Sequence, residues 1–194
     1  MTSTTDSIQL PPPAVTGGMP LMEALAARRS SREFSAEALD LQTLSNLLWA
    51  AWGFNREHKR TAPTSHNRQD IDLYVITHEG TYLYDARDNR LVVVTDEDLS
   101  SFSGSQEFVT TAPLNIAIVS DTSKITGKTP QGVIEAIYAN TGFVSQNIYL
   151  FCASENLATV TRAMVDKPLL AEKLSLSPTQ VITLVQSVGR KPEK

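Results

Sequence analysis

Ala27-Arg28-Arg29-Ser30-Ser31-Arg32-Glu33-Phe34 is the stretch around which the chain is organised. It sets three guanidiniums and two hydroxyls side by side at the end of what reads as a short helix. Arginine forks and hydroxyl donors suit a dianionic phosphate. A solvated basic helix end has the same composition, because cations favour the last helical turn. The rest of the chain decides between the two.

Upstream, residues 1–18 are Thr/Ser-rich, then carry Pro11-Pro12-Pro13 and Gly17-Gly18. They predict an extended arm that frays or lies across a neighbouring subunit. A single domain follows over 19–194. Pro20 opens a helix, to which Leu21, Met22, Leu25 and Ala26 lend one apolar side. Leu41, Leu44, Leu47, Leu48, Ala51 and Trp52 recur at helical spacing, with Asp40 placed to cap the start and Gly53 to end it. Trp49 and Trp52 read as core.

Residues 54–70 look polar and irregular. Thr61-Ala62-Pro63-Thr64-Ser65-His66-Asn67 lies there, just before the strand Ile71–Ile76; it reads as turns or as a ligand-contacting loop. Two turns, Glu79-Gly80 and Asp88-Asn89, link that strand to Tyr82–Tyr84 and Leu91–Val94 in a meander. A partly helical region spans 96–111, and the apolar strand Leu114–Val119 follows. Val133–Asn156 predicts a long helix, apolar on more than one side and so enclosed by the core or an interface. Gln146 and Asn147 within it need hydrogen-bond partners, from backbone or from a second subunit. Strand Leu157–Met164, helix Lys167–Leu174 and strand Val181–Val188 close the chain. Short hairpins interleaved with long crossovers give an α+β plan: a mixed, mainly antiparallel central sheet flanked by helices.

The 194 residues carry a net charge of −4, are 41% hydrophobic and include one cysteine. That charge excludes a broad nucleic-acid face. One cysteine excludes internal disulfides and Cys-rich zinc motifs, and His58, His66 and His78 lack metal-ligand spacing. Cys152 sits in an apolar run and reads as a packing thiol. No transmembrane run, signal peptide or Gly-x-Gly-x-x-Gly appears, so the chain reads as cytoplasmic with no permanent dinucleotide site.

Four segments in order carry a resemblance: Arg28–Phe34, Ala62–Asn67, Gly142-Phe143-Val144-Ser145-Gln146-Asn147 and Ser187-Val188-Gly189. From about Met19 to Lys191 the chain resembles the nitroreductase-like flavoproteins. It looks most like the compact branch that includes azoline-forming dehydrogenases. The resemblance implies an intertwined homodimer with one FMN at each of two interface sites. By position, Arg28, Arg29, Ser30 and Arg32 would hold the phosphate, ribityl chain and pyrimidine edge. Pro63, Thr64, Ser65 and Asn67 would come from the opposite subunit and line the ring system. The strand end with Arg162 and Ala163 would offer backbone groups near the ring, and Arg190 or Lys191 a second phosphate charge. Departures fall at Thr64, where serine is usual, at His66, and at Thr161-Arg162.

The implied function is an FMN-dependent oxidoreductase. It would take hydride from NAD(P)H and reduce a nitroaromatic, a quinone or a similar small acceptor by a ping-pong mechanism, with no protein group of its own as catalyst and no metal. The rival reading is a flavin-binding sensor, storage or partner-binding module without robust reductase activity. A third is a dehydrogenase of a peptide or small metabolite.

Overall fold

The computed structural model describes residues 7–193. Its centre is a seven-stranded sheet in the order β1-β6-β5-β4-β7-β9-β8, and every pairing in it is antiparallel. In chain order the strands are β1 (Ser7–Gln9), β4 (Ile71–Thr77), β5 (Gly80–Asp85), β6 (Arg90–Thr95), β7 (Leu114–Asp121), β8 (Leu157–Arg162) and β9 (Gln180–Arg190). The short strands β2 (Phe54–Arg56) and β3 (Lys59–Arg60) form a separate hairpin. The helices are α1 (Leu21–Ala27), α2 (Leu41–Trp52), α3 (Phe108–Thr111), α4 (Pro130–Ser154) and α5 (Lys167–Lys173).

Alternation along the strands sorts the core into two layers. Leu73 and Val75 of β4, with Ile116 and Ile118 of β7, pack with Leu47, Leu48 and Trp52 of α2 and Val144, Ile148 and Cys152 of α4. The intervening Tyr74, Ile76, Ala117 and Val119 face the other way, onto Leu170 of α5 and Leu99. Strand β7 is buried along nearly its whole length because both faces are covered. Burial pushes the Cys152 thiol far above its ordinary range, so it stays a neutral packing group.

Asp40 caps α2 as its position predicts. Oδ1 accepts from the Thr43 amide at 2.8 Å and Oδ2 from the Thr43 hydroxyl at 2.8 Å. These bonds hold its carboxyl below the usual carboxylate range. Asp40→Ala is expected to lower stability by about 1 kcal/mol at neutral pH. A depressed folded-state value means this contribution is complete above the ordinary carboxylate range and is lost as pH falls through the depressed value. Urea denaturation of both proteins at neutral and at strongly acid pH checks this. The gap should close in acid, and an equal gap at both pH values would count against the cap.

Three expectations change. The arm, at least from Ser7, lies on its own chain: Ser7–Gln9 pairs with Arg90–Val92, Leu10 is buried, and the Pro11 carbonyl accepts from the Ser45 hydroxyl and from Asn89 Nδ2. Residues 1–6 fall outside the described part. The polar stretch 54–60 is a hairpin rather than irregular chain, held where the Arg60 guanidinium stacks on Phe54 and Trp52. Gln146 is exposed in the protomer, whereas Asn147 donates to the Ala50 carbonyl at 3.0 Å.

Candidate functional site

Residues 28–35 leave α1 in extended form and run beside the sheet edge. The Ser31 amide donates to the Thr159 carbonyl of β8, and the Ser35 amide to the Arg190 carbonyl of β9. Phe34 then enters the core against Phe108, Ala158 and Val160. A side chain at Gly189 would place its Cβ 2.7 Å from Pro113 Cδ and 3.2 Å from Phe34 Cδ1. Only glycine therefore admits this approach between the first and last of the four sequence segments.

Between this stretch and α4 lies a cavity of about 270 Å³, lined by Arg29, Ser31, Tyr149, Asn156, Thr159 and Lys191 among others. Two cations line it beside three hydroxyl-bearing residues, Ser31, Tyr149 and Thr159, a donor set that fits a phosphate dianion. Lys191 Nζ donates to Asn156 Oδ1 at 2.5 Å, which ties the chain end to the last turn after α4. Tyr149 organises the wall. Its hydroxyl accepts from the Thr161 amide at 3.0 Å and shares a proton with Ser30 Oγ at 2.9 Å, and its ring lies 5.2 Å beneath the Arg28 guanidinium. Arg32 is exposed.

The remaining sequence-derived residues are dispersed. Arg190 is turned toward Glu37 at 3.3 Å and Asp40 at 3.2 Å, so Lys191, not Arg190, reaches the cavity. The Arg162 side chain is buried on the face of the sheet away from α4. It donates to the Ser103 carbonyl at 2.5 Å and to Asn115 Oδ1 at 2.8 Å. Burial pulls its pKa down to about 10, which leaves it protonated at neutral pH. Its side chain is therefore turned away from α4, while the neighbouring Ala163 is exposed, with its carbonyl accepting from the Val165 amide at 3.0 Å.

The second candidate segment is the loop Ala62–Asn67. Its backbone is left-handed at His66 (φ 54°) and Asn67 (φ 54°), and again at Gln69 (φ 50°). Non-glycine residues in that region carry strain that surrounding contacts must hold. Those contacts are present. The Gln69 amide donates to Thr64 Oγ1 at 2.9 Å, so the threonine hydroxyl closes the turn. The Ser65 amide donates to Asn140 Oδ1 at 3.0 Å, and Asn140 Nδ2 donates to the buried Asp70 at 2.7 Å. Asp70 also accepts from Ser120 Oγ at 2.5 Å. Pro63, His66 and Asn67 face solvent.

Asn140, which braces the loop, and Tyr149, which contacts the arginine stretch, are nine residues apart on α4, or about 13 Å of helical rise. The cavity at the arginine stretch and the one beside the loop share no lining residue. The arginine stretch and the loop therefore border separate cavities in one protomer. Sequence reasoning missed Asp70, Asn140 and Tyr149. An acid just before a buried strand, and a polar side chain on the core-facing stripe of α4, were the available signals.

An antiparallel sheet between two helical layers, with a cationic edge cavity and a braced polar loop, is the build of an α+β oxidoreductase of the flavin type. The Nitroreductase family profile matches residues 25–190, and the chain belongs to that family. A curated relative, described as a candidate nitroreductase of Methanocaldococcus jannaschii, is 28% identical over 89% of this chain and 92% of its own. A crystal structure of a candidate nitroreductase from Ralstonia eutropha JMP134 superposes with a TM-score of 0.92. It is 37% identical and is covered over 93% of its length by the whole of this chain. A Staphylococcus epidermidis structure, described as a candidate NAD(P)H:FMN oxidoreductase, shares the fold at a TM-score of 0.70 and 13% identity, over 93% of this chain and 92% of its own.

Proposed function

We propose that the protein is an FMN-dependent oxidoreductase that takes hydride from NAD(P)H and passes electrons to a nitroaromatic, a quinone or a similar small acceptor in a ping-pong cycle. The observation that carries this reading is the cavity in which Arg29, Ser31 and Lys191 converge in a chain of the nitroreductase family. Those residues would hold the FMN phosphate. Arg28 and Ser30, which both contact Tyr149 of its lining, and the exposed Arg32 would meet the ribityl chain and pyrimidine edge, and the backbone at Arg162 and Ala163 the ring. When bound, the flavin supplies the hydride chemistry, so the chain needs no acid–base group of its own for the transfer.

Pro63, Thr64, Ser65 and Asn67 would be supplied by the second subunit of a homodimer. The separation of the half-sites in one protomer supports this, as does apolar surface left without cover. Met22 is 74% exposed and Leu21 62%, and Tyr138 and Phe143 of α4 are also exposed. Large apolar side chains left exposed on two helices that pack together, α1 and α4, are the kind of surface that a second subunit would cover.

The test is an absorbance spectrum of the purified protein, with FMN added if needed, before and after NADPH or NADH without oxygen. A flavin band that bleaches with a reduced nicotinamide and returns with a quinone is expected. A protein that stays colourless in the presence of FMN, or whose flavin ignores both donors, would overturn the proposal.

A further inference from the structure

The β2–β3 hairpin stands over the Ala62–Asn67 loop, and the two enclose a cavity of about 360 Å³. Its lining includes Arg56, Lys59, Arg60, Thr61, Thr64 and Asn67. Every charged residue among the described lining groups is positive, in a protein whose net charge is −4. The neighbouring carboxylates are turned to other partners. Glu57 lies 3.5 Å from His58, Asp85 accepts from Arg90 Nε at 3.0 Å, and Asp72 accepts from Gln180 at 3.3 Å. The lining thus carries three cations and no carboxylate, and Asp72 and Asp85 act on Arg60 only from outside it.

Arg60 is the fixed member of the set. Its guanidinium carbon lies 3.8 Å from the centroid of Phe54 and 4.9 Å from that of Trp52. Nε donates to Gln69 Oε1 at 3.0 Å and Nη1 to the Trp52 carbonyl at 3.0 Å. Both acceptors are neutral. Burial lowers its pKa to about 10, so it remains a cation at neutral pH. A guanidinium stacked and bonded along one edge keeps one orientation and loses little further freedom when it meets an anion. Arg56 and Lys59 are exposed and flank it. Together they form a preset fork between two exposed cations, which suits the two or three oxygens of a carboxylate or phosphate.

We infer that this cavity binds an anionic group, a carboxylate or a phosphate ester, of a small molecule that reacts at the adjoining loop. The inference rests on the proposed function, which makes that loop one wall of the reaction site. The anion belongs either to a phosphorylated nicotinamide donor or to an acidic aromatic acceptor, and the probes separate these two sources.

The experiment titrates the FMN-treated full-length protein calorimetrically with two pairs of probes. Adenosine 2′,5′-bisphosphate is compared with adenosine, and 4-nitrobenzoate with nitrobenzene. At least one anion should bind roughly ten-fold or more tightly than its neutral counterpart, as a charge-assisted contact implies, and should weaken as salt is raised. Preference for the bisphosphate assigns the cavity to the donor, and preference for the benzoate assigns it to the acceptor. Arg56→Gln and Lys59→Gln, both at exposed positions, should each weaken the anion by about 2–5-fold. Arg60→Met should remove most of the preference. Because Arg60 also packs on Trp52, the Arg56→Gln/Lys59→Gln double variant decides the matter if Arg60→Met does not fold.

Equal affinity for charged and neutral probes overturns the inference. So does anion binding that Arg29→Ala abolishes and the hairpin double variant leaves unchanged, since the anion would then occupy the other cavity. The titration needs no turnover. A protein that never takes up FMN but binds these anions through the hairpin would remove the oxidoreductase reading and leave the anion site standing.

Discussion

Arg29→Ala is expected to weaken FMN binding by about 1.5–3 kcal/mol, the range for a hydrogen bond to a charged group. The dissociation constant would rise roughly ten- to hundred-fold. Arg29 lines the edge cavity with Ser31 and Lys191, and its loss leaves one cation opposite a dianion. Arg28 is adjacent in sequence, yet its guanidinium sits over the Tyr149 ring at 5.2 Å. Arg28→Ala should therefore cost about 0.5–1 kcal/mol, the scale of an exposed cation–π contact plus a more distant charge. Fluorescence titration of flavin-free protein with FMN measures both. Equal losses for the two variants would show that the phosphate does not sit in the Arg29–Lys191 cavity.

The second large effect is on stability. Asn140→Leu removes at one stroke a donor to the buried Asp70 carboxylate and the acceptor of the Ser65 amide. Ser120 Oγ would be left as the remaining side-chain donor to Asp70 among the described residues. A buried charge stripped of a partner, with a backbone donor orphaned beside it, costs about 3–5 kcal/mol. Urea denaturation should show that loss. Asp70→Asn in the same background should recover part of it, because the stranded group is then neutral. Freed from Asn140, the left-handed turn at His66 and Asn67 would relax, and the loop should become a site of limited proteolysis. An Asn140→Leu protein within 1 kcal/mol of the parent would mean that the network does not brace the loop.

Much of the architecture is carried by short-range pattern. The capping position of Asp40 and the periodic leucines mark α2. The turns at Glu79-Gly80 and Asp88-Asn89 dictate the β4–β5–β6 meander. The hairpin at 54–60 was illegible because its residues are polar. It is held by stacking of Arg60 on Trp52, which belongs to the preceding helix. The arm was equally opaque, since its partners lie in β6 and at Ser45 and Asn89, far along the chain. Among the candidate ligands, composition could not rank Arg28 over Arg29 or Arg190 over Lys191.

By itself the sequence determined the family plan: most of the helices and the main strands, and, through the resemblance, where a phosphate grip and a facing polar loop were to be sought, at Arg28–Phe34 and Ala62–Asn67. Those are properties of neighbouring residues and of motif order, which a linear pattern contains. Only the tertiary structure decided which cations share a cavity, which are spent on Glu37, Asp40, Ser103 and Asn115, and which groups on α4, the buried Asn140 and the half-buried Tyr149, brace the loop and the arginine stretch. Charge type is written in the chain. The direction a side chain faces is set by strand alternation and by partners dozens of residues away, so it emerges only when the sheet and α4 are assembled.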